Sequence, residues 1–276
     1  MIETFPHDSQ FLTNDSRKTR WAVPYNHECL NSRVENIIIR NKHIIEGKRI
    51  LDLGCHFGTF SYAVLTHGAN YVYGIDSEEK LISEALQFFK AGKIDTNRYR
   101  FQQGDIISIL EKMTPGEFDT ILCLGIFYYV NDPLYLLRLM KKVAKNIIID
   151  TFTAYYAAVV SKDGTEIAQY TLPETFNLPI VVYPMTQAQK KDYTLKHTFR
   201  KKDRNKPLSL LTLPTLKAME NFLNLCNLQY RVLPWDAYVV NNYQWQDFIN
   251  PGVKKSSHWA DIYHSKIRVS YLIEQG

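Results

Sequence analysis

The sequence predicts a doubly wound α/β fold with a mostly parallel sheet and an antiparallel last strand. Three observations carry this. Strand-like apolar runs alternate with helix-like segments from Arg49 to Asp150, the pattern of parallel strands joined by crossover helices. A glycine turn, Gly54–Gly58, follows the first of these runs. The last apolar run, Lys266–Ile273, alternates apolar and polar residues, as an antiparallel strand does.

The first strand is Arg49–Leu53, and a helix from about Thr59 to Thr66 buries Phe60, Ala63 and Val64. Tyr71–Ile75 is the second strand, ending at Asp76. Glu78–Ala91 is a helix with Leu81, Ala85, Phe88 and Phe89 on one face. Tyr99–Gln102 is a short third strand that runs into Gly104-Asp105. Phe118–Cys123 is the fourth. Pro133 in a first helical turn, with Asn131 or Asp132 as cap, starts the helix Leu134–Lys142. Asn146–Asp150 is the fifth strand. A helix from Leu213-Pro214-Thr215 to Cys226 and a strand Tyr230–Leu233 come later, and Cys29–Ile45 reads as one amphipathic helix ahead of the sheet.

Four segments follow: a cap segment and helix (1–47), a cofactor-binding half (48–150), an insertion or lid (151–206), and a C-terminal half with an aromatic-rich substrate loop (207–276). The insertion is too long for a plain connection. The loop at 234–265 holds Trp235, Tyr238, Tyr243, Trp245, Phe248, Trp259 and Tyr263.

The 276 residues are 45% hydrophobic and 22% charged, enough apolar content for a core without disulfides or a structural metal. No apolar run approaches the ~20 residues of a spanning helix, and the first residues do not form a signal peptide. A soluble, cytoplasmic protein without a membrane partner is the expectation. The four cysteines are scattered, with no C-x-x-C pair, so no metal is expected. The net charge is +5, but eight basic and two acidic residues lie between Lys190 and Lys206. The rest of the chain therefore carries −1. The eight bases cannot all be buried unpaired, so 190–206 is expected to be a mobile basic lid.

A strand, a glycine turn and a helix, with an acid at the end of the next strand, form a nucleotide-binding unit. The dinucleotide pattern G-x-G-x-x-G, laid from Gly54, meets His56 and Thr59 instead of glycines. The pattern Asp52-x-Gly54-x-x-x-Gly58, with Asp76 and then Gly104-Asp105, resembles the class I S-adenosylmethionine-dependent methyltransferases, whose fold is Rossmann-like. The resemblance implies S-adenosylmethionine as cofactor and S-adenosylhomocysteine as product. It implies that Gly54 and Gly58 pass under the methionine part, Asp76 holds the ribose and Asp105 meets the adenine. With their neighbours Asp52, His56, Phe57, Ser77, Gly104, Ile106, Leu124, Gly125 and Tyr128, and with Arg33 over the cofactor beside Asn31, these are the expected cofactor residues. His56 stands where the family's middle glycine would be.

The segment Leu122–Pro133 resembles the strand-four motif of the tRNA wobble 5-hydroxyuridine carboxymethyltransferases and their shorter relatives. The Leu213-Pro214-Thr215 helix and the run from Asp247–Pro251 to Lys266–Val269 resemble them more loosely. That resemblance implies that Tyr128 and Arg268 lie at the cofactor and its extra carboxylate. Tyr128 and His258 are the expected catalytic residues; Tyr129, Trp235 and Arg268 are expected at the substrate.

Methyl transfer to a small-molecule oxygen or nitrogen is the first functional reading, with the aromatic stretch enclosing the acceptor. RNA methylation or carboxymethylation, with 190–206 on phosphates, is the second. A non-catalytic nucleotide-binding protein on the same fold is the third. About 48 residues precede the first strand, fewer than in the tRNA family, which favours the first.

Overall fold

The computed structural model describes residues 2–13, 26–160, 173–187, 200–203, 206–250, 252 and 259–275. A short helix α1 (Gln10–Thr13) and helix α2 (His27–Ile37) precede the sheet. The sheet half then runs β1 (Arg49–Leu53), α3 (Thr59–Thr66), β2 (Tyr71–Asp76), α4 (Glu79–Ala91), β3 (Tyr99–Gln103), α5 (Ile106–Lys112), β4 (Phe118–Leu124), α6 (Pro133–Val143) and β5 (Ala144–Phe152). Beyond it lie α7 (Ala154–Val160), β6 (Val181–Val182), β7 (Met185–Gln187), β8 (Arg200–Asp203), β9 (Lys206–Leu210) and β10 (Leu213–Pro214). The chain closes with α8 (Leu216–Leu225), β11 (Tyr230–Val232), α9 (Asp261–His264) and β12 (Arg268–Glu274).

Seven strands form the main sheet in the order β11-β12-β5-β4-β1-β2-β3. β5, β4, β1, β2 and β3 are parallel, and β12 is antiparallel to β5 and to β11. This is the expected doubly wound, Rossmann-like α/β sheet with its antiparallel last strand. The connections turn one way after β1 and the other way after β4, so the ends of β1 and β4 form the crevice where such sheets bind ligands. Two small antiparallel sheets, β10-β6 and β7-β9-β8, lie in the second half.

The caps follow their side chains. Asp132 accepts from Tyr135 N at 2.9 Å to start α6 ahead of Pro133, and Thr215 accepts from Ala218 N to start α8. Two large clusters cover the sheet faces. All four cysteines are buried and unpaired in disulfide terms.

Several expectations change. The helix drawn over Cys29–Ile45 stops at Ile37, and a 3-10 stretch Ile39–Ile44 replaces its second half. Asn41 is the cause: its Nδ2 donates to the Asn36 and Ile37 carbonyls at 3.0 Å, taking acceptors at the helix end. The boundary drawn at 150 falls inside β5, which continues to Phe152; α7 then packs Ala154, Ala157 and Ala158 inward, so this part of the insertion belongs to the core. The alternation in β12 does not mark a wet face, because Arg268 and Ser270 are buried with the rest of the strand. The residues of 190–206 lie outside the described residues except for stretches of β8 and β9 backbone.

Candidate functional site: a left-handed turn and a buried charge cluster

The turn after β1 has three left-handed residues in five: Gly54 (φ +68°), His56 (φ +55°) and Gly58 (φ +81°). Two of these must be glycine for packing as well. A Cβ on Gly54 would meet Ile126 at 3.0 Å, and one on Gly58 would meet the Phe101 and Phe89 rings at 3.0 Å. Ile126 follows β4, so the two loops at the switch point touch across Gly54. His56 has no such relief and carries the strain of a left-handed non-glycine residue.

Asp76, at the end of β2, holds this turn. Its carboxylate accepts from His56 N at 2.9 Å and from Glu78 N at 3.0 Å. Its carbonyl accepts from Gly104 N at 2.8 Å, joining the ends of β2 and β3. The Ser77 carbonyl accepts from Gln103 Nε2 at 3.3 Å in the same corner. Asp105 caps α5, accepting from Ser108 N at 2.7 Å, and Ile106 is the buried first residue of that helix. The structure therefore brings Gly54, His56, Gly58, Asp76, Ser77, Gly104 and Asp105 to the adjoining ends of β1, β2 and β3.

Two expected neighbours turn inward. Asp52 is buried and accepts from Ser61 Oγ at 2.6 Å, tying β1 to α3. Phe57 is 1% exposed and packs on Phe11 and Phe88, so it builds the floor of the turn. Asn31 is not over the crevice either. Its side chain accepts from Thr4 N and Phe5 N and donates to the Phe5 carbonyl, which anchors the N-terminal segment to α2.

The second half of the site gathers at the ends of β4 and β5. Gly125 follows Leu124, the last residue of β4. Gly125 has φ +80°, and its N–H donates to the Asp150 carbonyl at 2.8 Å. The Asp150 side chain, 0% exposed, is the centre of a cluster. Arg268 Nε donates to Oδ1 at 2.7 Å, Arg33 Nη2 to Oδ2 at 2.7 Å, and the Tyr263 hydroxyl to Oδ2 at 3.0 Å. Burial alone would push the Asp150 carboxyl up, but the Arg268 and Arg33 guanidinia and their hydrogen bonds outweigh it and hold it below the usual carboxylate range. Burial pushes the Tyr263 phenol well up, and the neighbouring Asp150 charge adds to this.

A Cβ on Gly125 would lie 3.2 Å from Arg268 Nη2 and 3.8 Å from the Tyr128 hydroxyl. The guanidinium and the phenol thus approach the end of β4 over a residue with no side chain. Tyr128 hydrogen-bonds Tyr129, and burial raises its phenol well above the ordinary value. Phe152 stacks on Tyr156 at 3.9 Å, packs beside Tyr128, and lies under the Arg268 guanidinium at 4.6 Å. Burial pushes the Tyr156 phenol up to about 12.

Of the expected substrate residues, Tyr129 and Arg268 meet here and Trp235 does not. Trp235 is 5% exposed, stacks on Tyr263 at 4.0 Å and edges onto Trp259. With Trp245 and Trp259 also buried, much of the aromatic stretch 234–265 is core packing rather than an open substrate loop. His258 lies outside the described residues. Asp150, the centre of the charge cluster, is the member of this candidate site that the sequence reading missed. Its signal was an acid ending the apolar run Ile147-Ile148-Ile149. Among the described residues there is no metal-binding group of three or more His, Cys, Asp or Glu, and no helix long and apolar enough to cross a membrane.

Residues 44–203, more than half of the chain, match the family model of a methyltransferase domain. The tRNA U34 carboxymethyltransferase of Helicobacter pylori (strain HPAG1) is 25% identical over 124 residues, 44% of this chain and 47% of that protein. The ubiquinone biosynthesis O-methyltransferase of Pseudomonas aeruginosa (strain UCBPP-PA14) is 32% identical over 138 residues, 47% of this chain and 55% of that protein. The chain spans about half the length of the curated relatives it matches. An S-adenosylmethionine-dependent methyltransferase structure from Mesorhizobium loti superposes with a TM-score of 0.51 at 18% identity, covering 89% of this chain and all of that one. At that identity the likeness is one of fold. The match over the sheet, turn and crevice makes this chain a member of the methyltransferase domain family, on the class I fold.

Proposed function

We propose that the chain transfers a methyl group from S-adenosylmethionine to an oxygen or nitrogen of a small molecule, leaving S-adenosylhomocysteine. The observation that carries this is the left-handed turn clamped to Asp76 at the switch point of the sheet. The fit is specific. Gly54 and Gly58 keep the backbone bare where the amino-acid part of the cofactor would pass, and Asp76 and Asp105 offer carboxylates at the corner where its nucleoside would sit. Leu124, Gly125 and Tyr128 would flank its sulfonium, with Arg33 behind them.

The bound cofactor supplies an electrophilic methyl group. The chain then has to align the acceptor with it and exclude water. The aromatic group of buried Tyr128 with partly buried Tyr129, Phe152 and Tyr156 supports an enclosed small acceptor, and four cysteines without a disulfide suit a reducing cytoplasm. The O-methyltransferases among the relatives point the same way.

A second reading, transfer to tRNA, is favoured by the carboxymethyltransferase relatives and the basic stretch 190–206. Calorimetry tests both. S-adenosylhomocysteine should bind more tightly than NAD; the reverse order rejects the methyltransferase reading. Nanomolar tRNA binding that collapses between low and physiological salt, and is lost when Lys201, Lys202 and Arg204 become serine, would put RNA first.

A further inference from the structure

We infer that the segment Thr4–Thr13 is a brace for the cofactor turn, with Phe11 as its positioning residue, and that docking of the segment and binding of the cofactor strengthen each other. The inference rests on the methyltransferase reading and adds a positioning element to that site.

The first support is where Phe11 lies. Its ring packs on Phe57 of the turn, with centroids 6.4 Å apart, on Tyr62 of α3 at 4.9 Å and on Phe88 of α4 at 5.4 Å. Phe57 in turn meets the His56 ring at 4.3 Å. Phe11 also meets Phe89 edge-on at 6.5 Å, and Phe89 is one of the two rings that close on Gly58. Phe11 therefore backs three consecutive turn residues through two rings. His56 is held at φ +55°, and a left-handed non-glycine residue persists only where its surroundings over-determine it. Asp76 grips His56 through the main chain; Phe11 supports it through Phe57.

The second support is how the segment is attached. Among the described residues it pairs with no strand, and side chains hold it. Asn31 of α2 accepts from Thr4 N at 2.8 Å and Phe5 N at 2.9 Å, and donates to the Phe5 carbonyl at 2.8 Å. Thr4 Oγ1 hydrogen-bonds His67 at 2.8 Å, His7 stacks on His27 at 3.7 Å, and Gln10 Nε2 donates to the Phe88 carbonyl at 3.3 Å. Phe5 and Phe11 supply the buried apolar contact. Two residues beyond Asn31, Arg33 holds Asp150, so the brace hangs from the helix that also ties down the other half of the crevice.

This attachment is firm at points and open between them. α1 has four residues, too few to stand as a helix by itself. An open groove of about 350 Å³ runs between the segment and α3, lined by Pro6, Ser9, Gln10, Tyr62 and Gly92 with the edges of the two phenylalanines. The segment can thus open without unfolding the sheet. An element that opens locally and backs the turn has two states, and a ligand that fixes the turn favours the docked one.

The test measures one coupling in two directions. In the unaltered protein the Phe5 and Leu12 amides, which donate to Asn31 Oδ1 and to the Ser9 carbonyl, report opening of the segment by hydrogen exchange. An amide that exchanges by local opening is slowed by a ligand only if that opening weakens the ligand's binding. Saturating S-adenosylhomocysteine should slow both amides at least fivefold. No residue of the segment is expected at the cofactor, so slowing reports coupling rather than contact. Phe11→Ala should weaken S-adenosylhomocysteine in calorimetry by a matching factor, because coupling between two equilibria is reciprocal. Phe11→Leu, which refills most of the space, should recover part of the loss. A folded Phe11→Ala that melts lower yet binds with native affinity makes the segment plain core packing and overturns the inference; so does exchange that the cofactor product leaves unchanged. Should Phe11→Ala fail to fold, the exchange measurement on the unaltered protein decides alone. Failure of the unaltered protein to bind S-adenosylhomocysteine overturns the methyltransferase reading beneath, and the inference with it.

Discussion

The two halves of the crevice are built by opposite means. The half at β1–β3 is made of backbone: left-handed glycines, N–H groups and two acids, with its key contact, His56 to Asp76, only 20 residues long in sequence. The half at β4–β5 is made of side chains brought from far apart. Arg33 and Arg268 reach Asp150 across 117 and 118 residues. A backbone site can be specified by a short motif. A side-chain site exists only once the whole sheet has closed, with β12 inserted beside β5.

This difference sets where each half breaks. The largest effect is expected at Asp150. Asp150→Ala leaves two buried guanidinia without their shared anion, and removing one partner of a buried ion pair costs about 3–5 kcal/mol. Thermal melts should fall by about 2–4 °C per kcal/mol for a chain of this size. The same group gives an acid limb of defined sign. Its folded pKa is depressed, so its contribution is fully present above the unfolded carboxylate value of about 3.9. It is lost as pH falls from there through the folded value. Chemical denaturation at pH 7 and across this acid window should therefore show a stability gap between the native chain and Asp150→Asn that narrows with acid. A gap independent of pH would mean that the carboxylate's charge is not what holds the cluster.

Asp76→Ala probes the backbone half. It removes an acceptor for two main-chain N–H groups and, on the proposed reading, for both ribose hydroxyls, each such charge-assisted bond contributing about 1.5–3 kcal/mol. Affinity for S-adenosylhomocysteine should drop at least tenfold by calorimetry. Stability should fall less than for Asp150→Ala, because the freed N–H groups lie in a partly open corner. Unchanged affinity would remove Asp76 from the site.

Gly58→Ala comes next. A methyl group there meets two core rings at 3.0 Å in a left-handed conformation, for an expected loss of about 1–3 kcal/mol. A melt unchanged within 1 °C would show that the Phe89 and Phe101 rings can give way.

The same contrast explains what could be read from the sequence. β1 through β5, with the acids that end β2 and follow β3, were legible, because apolar runs and glycine turns are local signals. Asp105 was legible as an acid after β3, although its cap bond to Ser108 was not. The charge cluster was not legible as a cluster. Arg33 lies on an amphipathic helix and Arg268 on an alternating strand, and in isolation both read as polar-face residues. Only the topology, with α2 and β12 both packed over the end of β5, buries them. Trp235 shows the same limit in reverse: its residue type suggests a substrate wall, and only the fold shows it packed between Tyr263 and Trp259.

The smallest expected effect tests the boundary between backbone and side chain within the turn itself. His56 is the one non-glycine among its left-handed residues. If its imidazole serves no ligand, the strain is a pure cost, and His56→Gly should stabilise the chain by about 0.5–1 kcal/mol with cofactor affinity unchanged or improved. If the side chain contacts the cofactor, stability and affinity must part company: the melt rises while S-adenosylhomocysteine binds more weakly. His56→Asn sharpens the split, since asparagine tolerates φ +55° better than most residues and keeps a polar group near the position of Nδ1. The expectation is a higher melting temperature for both variants, weaker binding in His56→Gly, and partial recovery in His56→Asn. A rise in both stability and affinity for His56→Gly would leave the cofactor half built of backbone alone.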